Sequence, residues 1–192
     1  MEWKFFEGDS PEFASADWYE SIISAHHLDE PAHRERLIVA AEYAKKAVKL
    51  GGTAVVDLGC GDGGLLQLLK ESNFPSWGYD LMPNNIEHAV NVRGVDARFT
   101  NFISDDIEYA DVAVMTETLE HMEDPHQVVR DLPSKYLIAS SPYNESDKSH
   151  YEFHLWAWDS DGYDELIRQG GYTILEKDFV SGWSQILLGV RK

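Results

Sequence analysis

Three side chains able to do chemistry stand close together in "TETLEH", Thr116 to His121. Glu117, Glu120 and His121 fall at i, i+3 and i+4, so in a helical turn all three share one face. An imidazole titrates near neutral pH and accepts a proton from a hydroxyl, which makes His121 a candidate general base with Glu117 beside it. The plainer alternative is that Glu120 and His121 only organise a loop. Two carboxylates on one face repel each other until a cation, an imidazole or solvent relieves them.

A second chemical signal lies upstream, in "VVDLGCGDGGLLQLL", Val55 to Leu69. Gly59, Gly61 and Gly64 fit G-x-G-x-x-G, between an apolar run and a leucine-rich one. Glycines there permit positive φ and let a ligand approach the backbone, and the helix behind offers free N–H groups. Asp80 in "GYDLMP" follows Gly59 by 21 residues, the distance at which an acid accepts hydrogen bonds from a ribose. Loop and acid together indicate an adenosine-type ligand. Asp57 stands where a dinucleotide loop usually has an apolar residue, and Asp62 is a further acid within the loop. Carboxylates are badly placed against a pyrophosphate but suit a sulfonium and an ammonium. S-adenosylmethionine is therefore expected, and NAD is not.

The elements that must position these groups alternate. "TAVVDL", "SWGYDL", "ARFTNF", "ADVAVMT" and "KYLIASSP" read as strands, separated by helical segments "GLLQLLKES", "NNIEHAVNV" and "DPHQVVRDL". His33–Leu50 is a helix, with Leu37, Ala40, Ala41, Ala44 and Val48 on one face, closed by Gly51-Gly52. "DSDGYDELIRQG" is a helix with Asp159 as N-cap. "YTILEKDFV" and "WSQILLGVRK" form a closing hairpin through Ser181-Gly182. Alternating strands and helices imply a parallel sheet covered on both faces, with ligands at the carboxyl ends of the strands.

With these motifs the sequence resembles the class I S-adenosylmethionine-dependent methyltransferases. "VVDLGCGDG" looks like their motif I and "GYDLMP" like their ribose-binding segment. "ADVAVMTETLEHMEDP" is similar to the subgroup containing ubiquinone-biosynthesis O-methyltransferases. The resemblance spans roughly residues 53–192. It implies an α/β, Rossmann-like three-layer sandwich with a seven-stranded, mostly parallel sheet of order 3-2-1-4-5-7-6 and a C-terminal antiparallel hairpin. Carried over by position, Asp57, Gly59, Cys60, Gly61 and Gly63 would line the cofactor's methionine and ribose. Asp80 would take the ribose hydroxyls, with Leu81 and Met82 against the adenine. Asn101, with Phe102 beside it, would meet the adenine amino group. Thr116 and Glu117 would lie close to the methyl donor. Glu117, Glu120, His121 and His154 also resemble the E-x-x-E-H plus His set of the small-RNA 3′-terminal 2′-O-methyltransferases. Such a set suits Mg²⁺, Mn²⁺ or Zn²⁺, which would orient a hydroxyl and lower its pKa; His150 competes with His154 for the fourth position.

Composition bounds the rest. The 192 residues are read as one domain, 1–192, in which 53–192 form the cofactor-binding core. Residues 1–35 are an extension bearing Trp3, Phe5, Phe6, Phe13, Trp18 and Tyr19, read either as a lid over the cofactor or as plain packing. "HLWAWD" is another aromatic segment, destined for the substrate wall or the core. Tyr143 in "SSPYN" sits in a loop after the fifth strand, where it either touches substrate or is structural. The net charge of −18 repels phosphate backbones, so a small-molecule substrate is expected and nucleic acid is not. No apolar run is long enough to span a membrane, no secretory leader is present, and Cys60 stands alone, which together point to the cytoplasm. The favoured activity is O-methylation of a small-molecule hydroxyl. The alternatives are a metal-assisted RNA 2′-O-methyltransferase and a non-catalytic binding module of the same fold.

Overall fold

A computed structural model of the chain describes residues 1–5, 17 and 26–192. Its strands are β1 (Glu2–Lys4), β2 (Val55–Leu58), β3 (Ser76–Asp80), β4 (Ala97–Phe99), β5 (Val112–Thr116), β6 (Tyr136–Pro142), β7 (Trp156–Trp158), β8 (Tyr172–Val180) and β9 (Ser184–Arg191). The helices are α1 (Pro31–Lys49), α2 (Gly64–Leu69), α3 (Pro83–His88), α4 (Pro125–Asp131) and α5 (Ser160–Gln169).

Seven strands form one sheet in the order β4-β3-β2-β5-β6-β9-β8. Counted without β1 and β7, that is 3-2-1-4-5-7-6, as expected. The first five are parallel, while β9 runs antiparallel to both β6 and β8. Side chains alternate across the buried strands. Val55, Val112, Val114 and Ile138 meet Leu37, Ala40 and Ala44 of α1 on one face. Val56, Leu58, Met115 and Leu137 meet Val129 of α4 and Tyr163 and Leu166 of α5 on the other. The result is a sheet between two helical layers.

Several boundaries differ from expectation, each for a local reason. α1 begins at Pro31, whose fixed φ suits the first helical turn, and its stripe closes on Ala47, with Val48 only partly buried. β4 ends at Phe99, which leaves Asn101 and Phe102 in the turn beyond it. α3 continues as a π-helical stretch, Ala89–Arg93, ended by Gly94 at φ 62°. A wide turn of this kind changes the facing of its residues, and here it swings Arg93 into the protein.

A second, two-stranded sheet pairs β1 with β7, Trp3 opposite Ala157. Trp156 and Trp158 stack in parallel and are buried in the core, which settles "HLWAWD" as core. Phe5 stacks on His150 with ring centroids 3.5 Å apart. The rest of the aromatic extension, Phe6, Phe13, Trp18 and Tyr19 included, lies outside the described residues. No helix among the described residues is long and apolar enough to cross a membrane.

Candidate functional site

The carboxyl ends of β2, β3 and β5 surround a cavity of about 500 Å³. β2 delivers Asp57 to it and then turns through Gly59 (φ 81°) and Gly61 (φ 53°). A Cβ at Gly59 would lie 2.8 Å from the Thr118 side chain, so this glycine lets the loop press against the segment after β5. A Cβ at Gly61 would have only Asn85 Nδ2 near it, at 3.9 Å, so its absence leaves ligand space. Gly63 faces away: a Cβ there would strike Val95 and Ala89, and it does not line the cavity. Cys60 lines the cavity and also packs with Leu66, Ala89 and Ala97; burial pushes its thiol well up.

Asp80 closes β3 with both oxygens engaged. Gly61 N–H donates to Oδ2 at 2.8 Å; Met82 N–H donates to Oδ1 at 2.8 Å and Asn85 Nδ2 at 3.3 Å. Burial raises its carboxyl and the backbone N–H groups pull it back, leaving it above the ordinary value. Leu81, Met82 and Phe102 add apolar wall. Asn101 is there too, but its Oδ1 already accepts from Ile103 N–H at 3.0 Å, which leaves its NH2 and one lone pair for a ligand.

Asp62 behaves differently from the reading of its sequence position. Arg93 Nε donates to its Oδ2 at 3.0 Å and to its backbone oxygen at 2.9 Å, and Nη2 completes a buried ion pair. Its charge is thus met from within the protein. Asp57 is the acid left open: it is 2% exposed and its Oδ1 has no partner among the described residues. Burial first, then the nearby Asp80, push it up to about 8, while Arg36 pulls it down.

Arg36 was missed at the sequence level. It lines the cavity from α1, is 2% exposed, and holds Nη1 3.5 Å from Glu117 Oε1, while its Nε finds no acceptor among the described residues. The available signal was an arginine directly before Leu37 at the edge of an apolar stripe. An orphaned carboxylate oxygen and an orphaned guanidinium N–H in one cavity suit the ammonium and carboxylate of an amino-acid end. His27, also on the wall, is brought down to about 3, mainly by burial and then by Arg36.

Beyond β5 the backbone does not make the expected helical face. Glu117 sits at φ 52°, a conformation that costs a non-glycine residue about 1–3 kcal/mol. A short 3₁₀ turn, Leu119–His121, comes next. Glu117 Oε1 accepts from the hydroxyls of Ser140 and Ser184, both at 2.8 Å, and faces Arg36. Glu120 points inward, fully buried, and both its oxygens lack donors among the described residues. Burial and then the charge of Glu117 push its carboxyl well above the usual range.

Glu120, His121 and His154 bring their ligating atoms within 4.8 Å of one another. His121 Nδ1 lies 3.2 Å from Phe153 O, and since a carbonyl only accepts, Nδ1 carries the proton and Nε2 the lone pair. Burial, then His154, lowers His121 to about 3, so the ring is neutral. His154 Nδ1 is 2.7 Å from Glu145 Oε2, a carboxylate–histidine arrangement that orients a ring toward a cation. His150 is elsewhere, stacked on Phe5, and Glu117, next to Glu120, has its Oε1 held by two serines. Thr116, Glu117 and His121 line the cavity; Glu120 and His154 stand behind that wall. Tyr143 is turned away, its hydroxyl donating to Gly182 O at 3.1 Å.

Residues 25–172 match the family described as "Methyltransferase domain". No curated protein matches the sequence significantly. Among solved structures, magnesium protoporphyrin IX methyltransferase from Synechocystis PCC 6803, with bound SAM, is 18% identical at TM-score 0.64, covering 84% of this chain and 80% of that one. The methyltransferase domain of bacterial CtHen1 is 20% identical at TM-score 0.63, covering 83% and 98%. The [4+2]-cyclase SpnF is 15% identical at TM-score 0.67, covering 90% and 88%. Identities this low speak for the fold.

Proposed function

The chain belongs to the methyltransferase-domain family, with S-adenosylmethionine as its methyl donor, and on that premise we propose that it methylates a hydroxyl oxygen of a small molecule. When bound, the cofactor supplies a methyl carbon on a sulfonium, open to in-line attack by an oxygen. Asp57 and Arg36 would hold its amino-acid end, Asp80 its ribose, and Leu81, Met82 and Phe102 its adenine. Glu117 keeps Arg36 in place. The resemblance to ubiquinone-biosynthesis O-methyltransferases carries over as part of this reading.

The observation that carries the choice of oxygen is His121: a neutral imidazole on the cavity wall whose Nε2 bears the lone pair. Alone it is a weak base, because a general base works best with a pKa near the operating pH. Glu120, with two unpartnered oxygens, and His154, oriented by Glu145, supply what it lacks. The three fit a divalent ion, which would acidify a hydroxyl bound beside it. The same set would serve a ribose 2′-hydroxyl, but a net charge of −18 disfavours an RNA.

Incubation with methyl-labelled S-adenosylmethionine and a panel of phenols, catechols and sugars tests this. Label should enter an oxygen, chelator should reduce the rate and Mg²⁺, Mn²⁺ or Zn²⁺ should restore it. His121→Ala should lower the rate by about 10²-fold or more while cofactor affinity stays within about threefold of wild type. Label found only on nitrogen or carbon would sink the hydroxyl reading. Cofactor binding without turnover on any acceptor would instead favour a non-methylating module; a cyclase shares this fold.

A further inference from the structure

The cofactor reading leaves Arg36 with a problem. Its guanidinium lies in the interior, on a long side chain, and must be held in one place at the cavity wall to meet a ligand. Its ion-pair partner, Glu117, stands 3.5 Å from Nη1, a loose contact on one side. The other side is closed by a residue from the far end of the chain. The Trp183 ring centroid is 5.5 Å from the Arg36 guanidinium carbon, within reach of a cation–π contact. The indole is itself fixed: its Nε1–H donates to Ala32 O at 3.2 Å, one helical turn before Arg36, and His33 meets its ring edge-on at 5.2 Å. The next residue, Ser184, donates its hydroxyl to Glu117 Oε1 at 2.8 Å. The turn into β9 therefore supports the guanidinium twice, directly through the Trp183 ring and indirectly through the Ser184 hydrogen bond to Glu117.

We propose that Trp183, at the turn between β8 and β9, is a positioning residue for Arg36, holding the guanidinium on the cavity wall so that it serves the amino-acid end of the cofactor. The turn lies outside the 25–172 family match, so this is a contribution of the chain's own C-terminal hairpin to the cofactor site. The inference rests on the assignment of Arg36 to the cofactor's carboxylate, and the test separates the two.

The probes are S-adenosylhomocysteine and 5′-methylthioadenosine, which has the same nucleoside and sulfur but no amino-acid end. Their dissociation constants are measured by calorimetry for the wild type, Arg36→Ala, Trp183→Leu and Trp183→Phe, with melting curves to confirm folding. Arg36→Ala should weaken the first ligand selectively; equal loss on both ligands removes the premise and the proposal with it. With the premise standing, Trp183→Leu should weaken S-adenosylhomocysteine by about three- to tenfold and leave 5′-methylthioadenosine within about twofold. Trp183→Phe, which keeps a ring, should reverse the selective loss. A Trp183→Leu protein that loses both ligands equally, or neither, overturns the positioning role while leaving Arg36 in place. General loosening of the hairpin would not distinguish two ligands that differ only at the amino-acid end.

Discussion

The loops after β2 and after β5 meet at the cavity, Gly59 pressed against Thr118, yet they treat polar groups in opposite ways. After β2, glycines at positive φ leave the backbone bare, and of the acids gathered there, Asp57 from β2, Asp62 from the loop and Asp80 from the end of β3, two have partners: Arg93 for Asp62, backbone N–H groups and Asn85 for Asp80. After β5, a glutamate rather than a glycine takes the left-handed conformation, and Glu120 is buried with both oxygens unpaired. A satisfied loop is a finished surface that receives a ligand. An unsatisfied one holds desolvated acceptors whose cost falls only when a proton or a cation arrives. Asp57 is the exception on the first side, with a single orphaned oxygen, and it marks where that loop too expects a cation.

The largest effect should come from breaking the finished side. Arg93→Met leaves Asp62 buried with only the His88 imidazole, 4.0 Å from its Oδ2, in place of its ion pair, and removing one member of a buried pair costs about 3–5 kcal/mol. Denaturant unfolding should show a loss of that order; a loss below about 1 kcal/mol, the surface-pair range, would mean that Asp62 is met by solvent. Next comes the unfinished side. An ion present at about 100 times its dissociation constant adds roughly 2.7 kcal/mol of stability. Mn²⁺ or Zn²⁺ should therefore raise the melting temperature of the wild type but not of Glu120→Gln or His154→Ala. An identical shift in all three proteins would place the ion elsewhere and leave Glu120 to its proton.

Asp80 is a smaller case, because its oxygens are already occupied and any ribose contact uses the remaining lone pairs. Charge-assisted hydrogen bonds contribute roughly 1.5–3 kcal/mol, so Asp80→Ala should weaken S-adenosylhomocysteine about ten- to hundredfold by calorimetry. Unchanged affinity would show that Asp80 serves only Gly61, Met82 and Asn85.

The two loops also differ in how far they were legible. Gly59, Gly61 and Asp80 belong to short-range patterns, a strand, a turn and a helix in succession, and local backbone chemistry is enough to read them. The order of the seven strands is not local; it came from family resemblance. Arg93 was hidden because a single π-helical stretch changes which face a residue occupies, and no 3.6-residue template anticipates it. Arg36 and Trp183 reach the site from distant parts of the chain. The β1–β7 pairing, over 150 residues apart in sequence, is equally long-range. Around Glu117 the E-x-x-E-H spacing was read as a helical face, and the left-handed φ broke that pattern by sending Glu117 to Ser140 and Ser184.

The smallest effects are slopes with pH, and here the two loops should oppose each other. Asp57 carries a folded-state pKa of about 8 against an ordinary 3.8, so between about pH 4 and 8 the folded protein binds a proton that the unfolded chain has lost. Its contribution to stability is full below that window and falls as pH rises through it. His121 moves from 6.5 to about 3, so between about pH 3 and 6.5 the unfolded chain holds the extra proton and stability rises with pH. His27, also brought down to about 3, adds to the rising slope, which opposes the Asp57 slope from about pH 4 to 6.5. Above that the falling slopes of Asp57 and of the buried Glu120 remain, and melting curves between pH 7 and 8 should decline less steeply in Asp57→Asn than in the wild type. The ligand side has the opposite sign. An ammonium prefers the ionised carboxylate, so affinity for S-adenosylhomocysteine should climb toward pH 8 by up to about tenfold per pH unit. 5′-Methylthioadenosine, lacking the ammonium, should show no such climb, and Asp57→Asn should remove it from the first ligand. If the climb persists in Asp57→Asn, the ammonium is held elsewhere, and the orphaned oxygen is a feature of the fold alone.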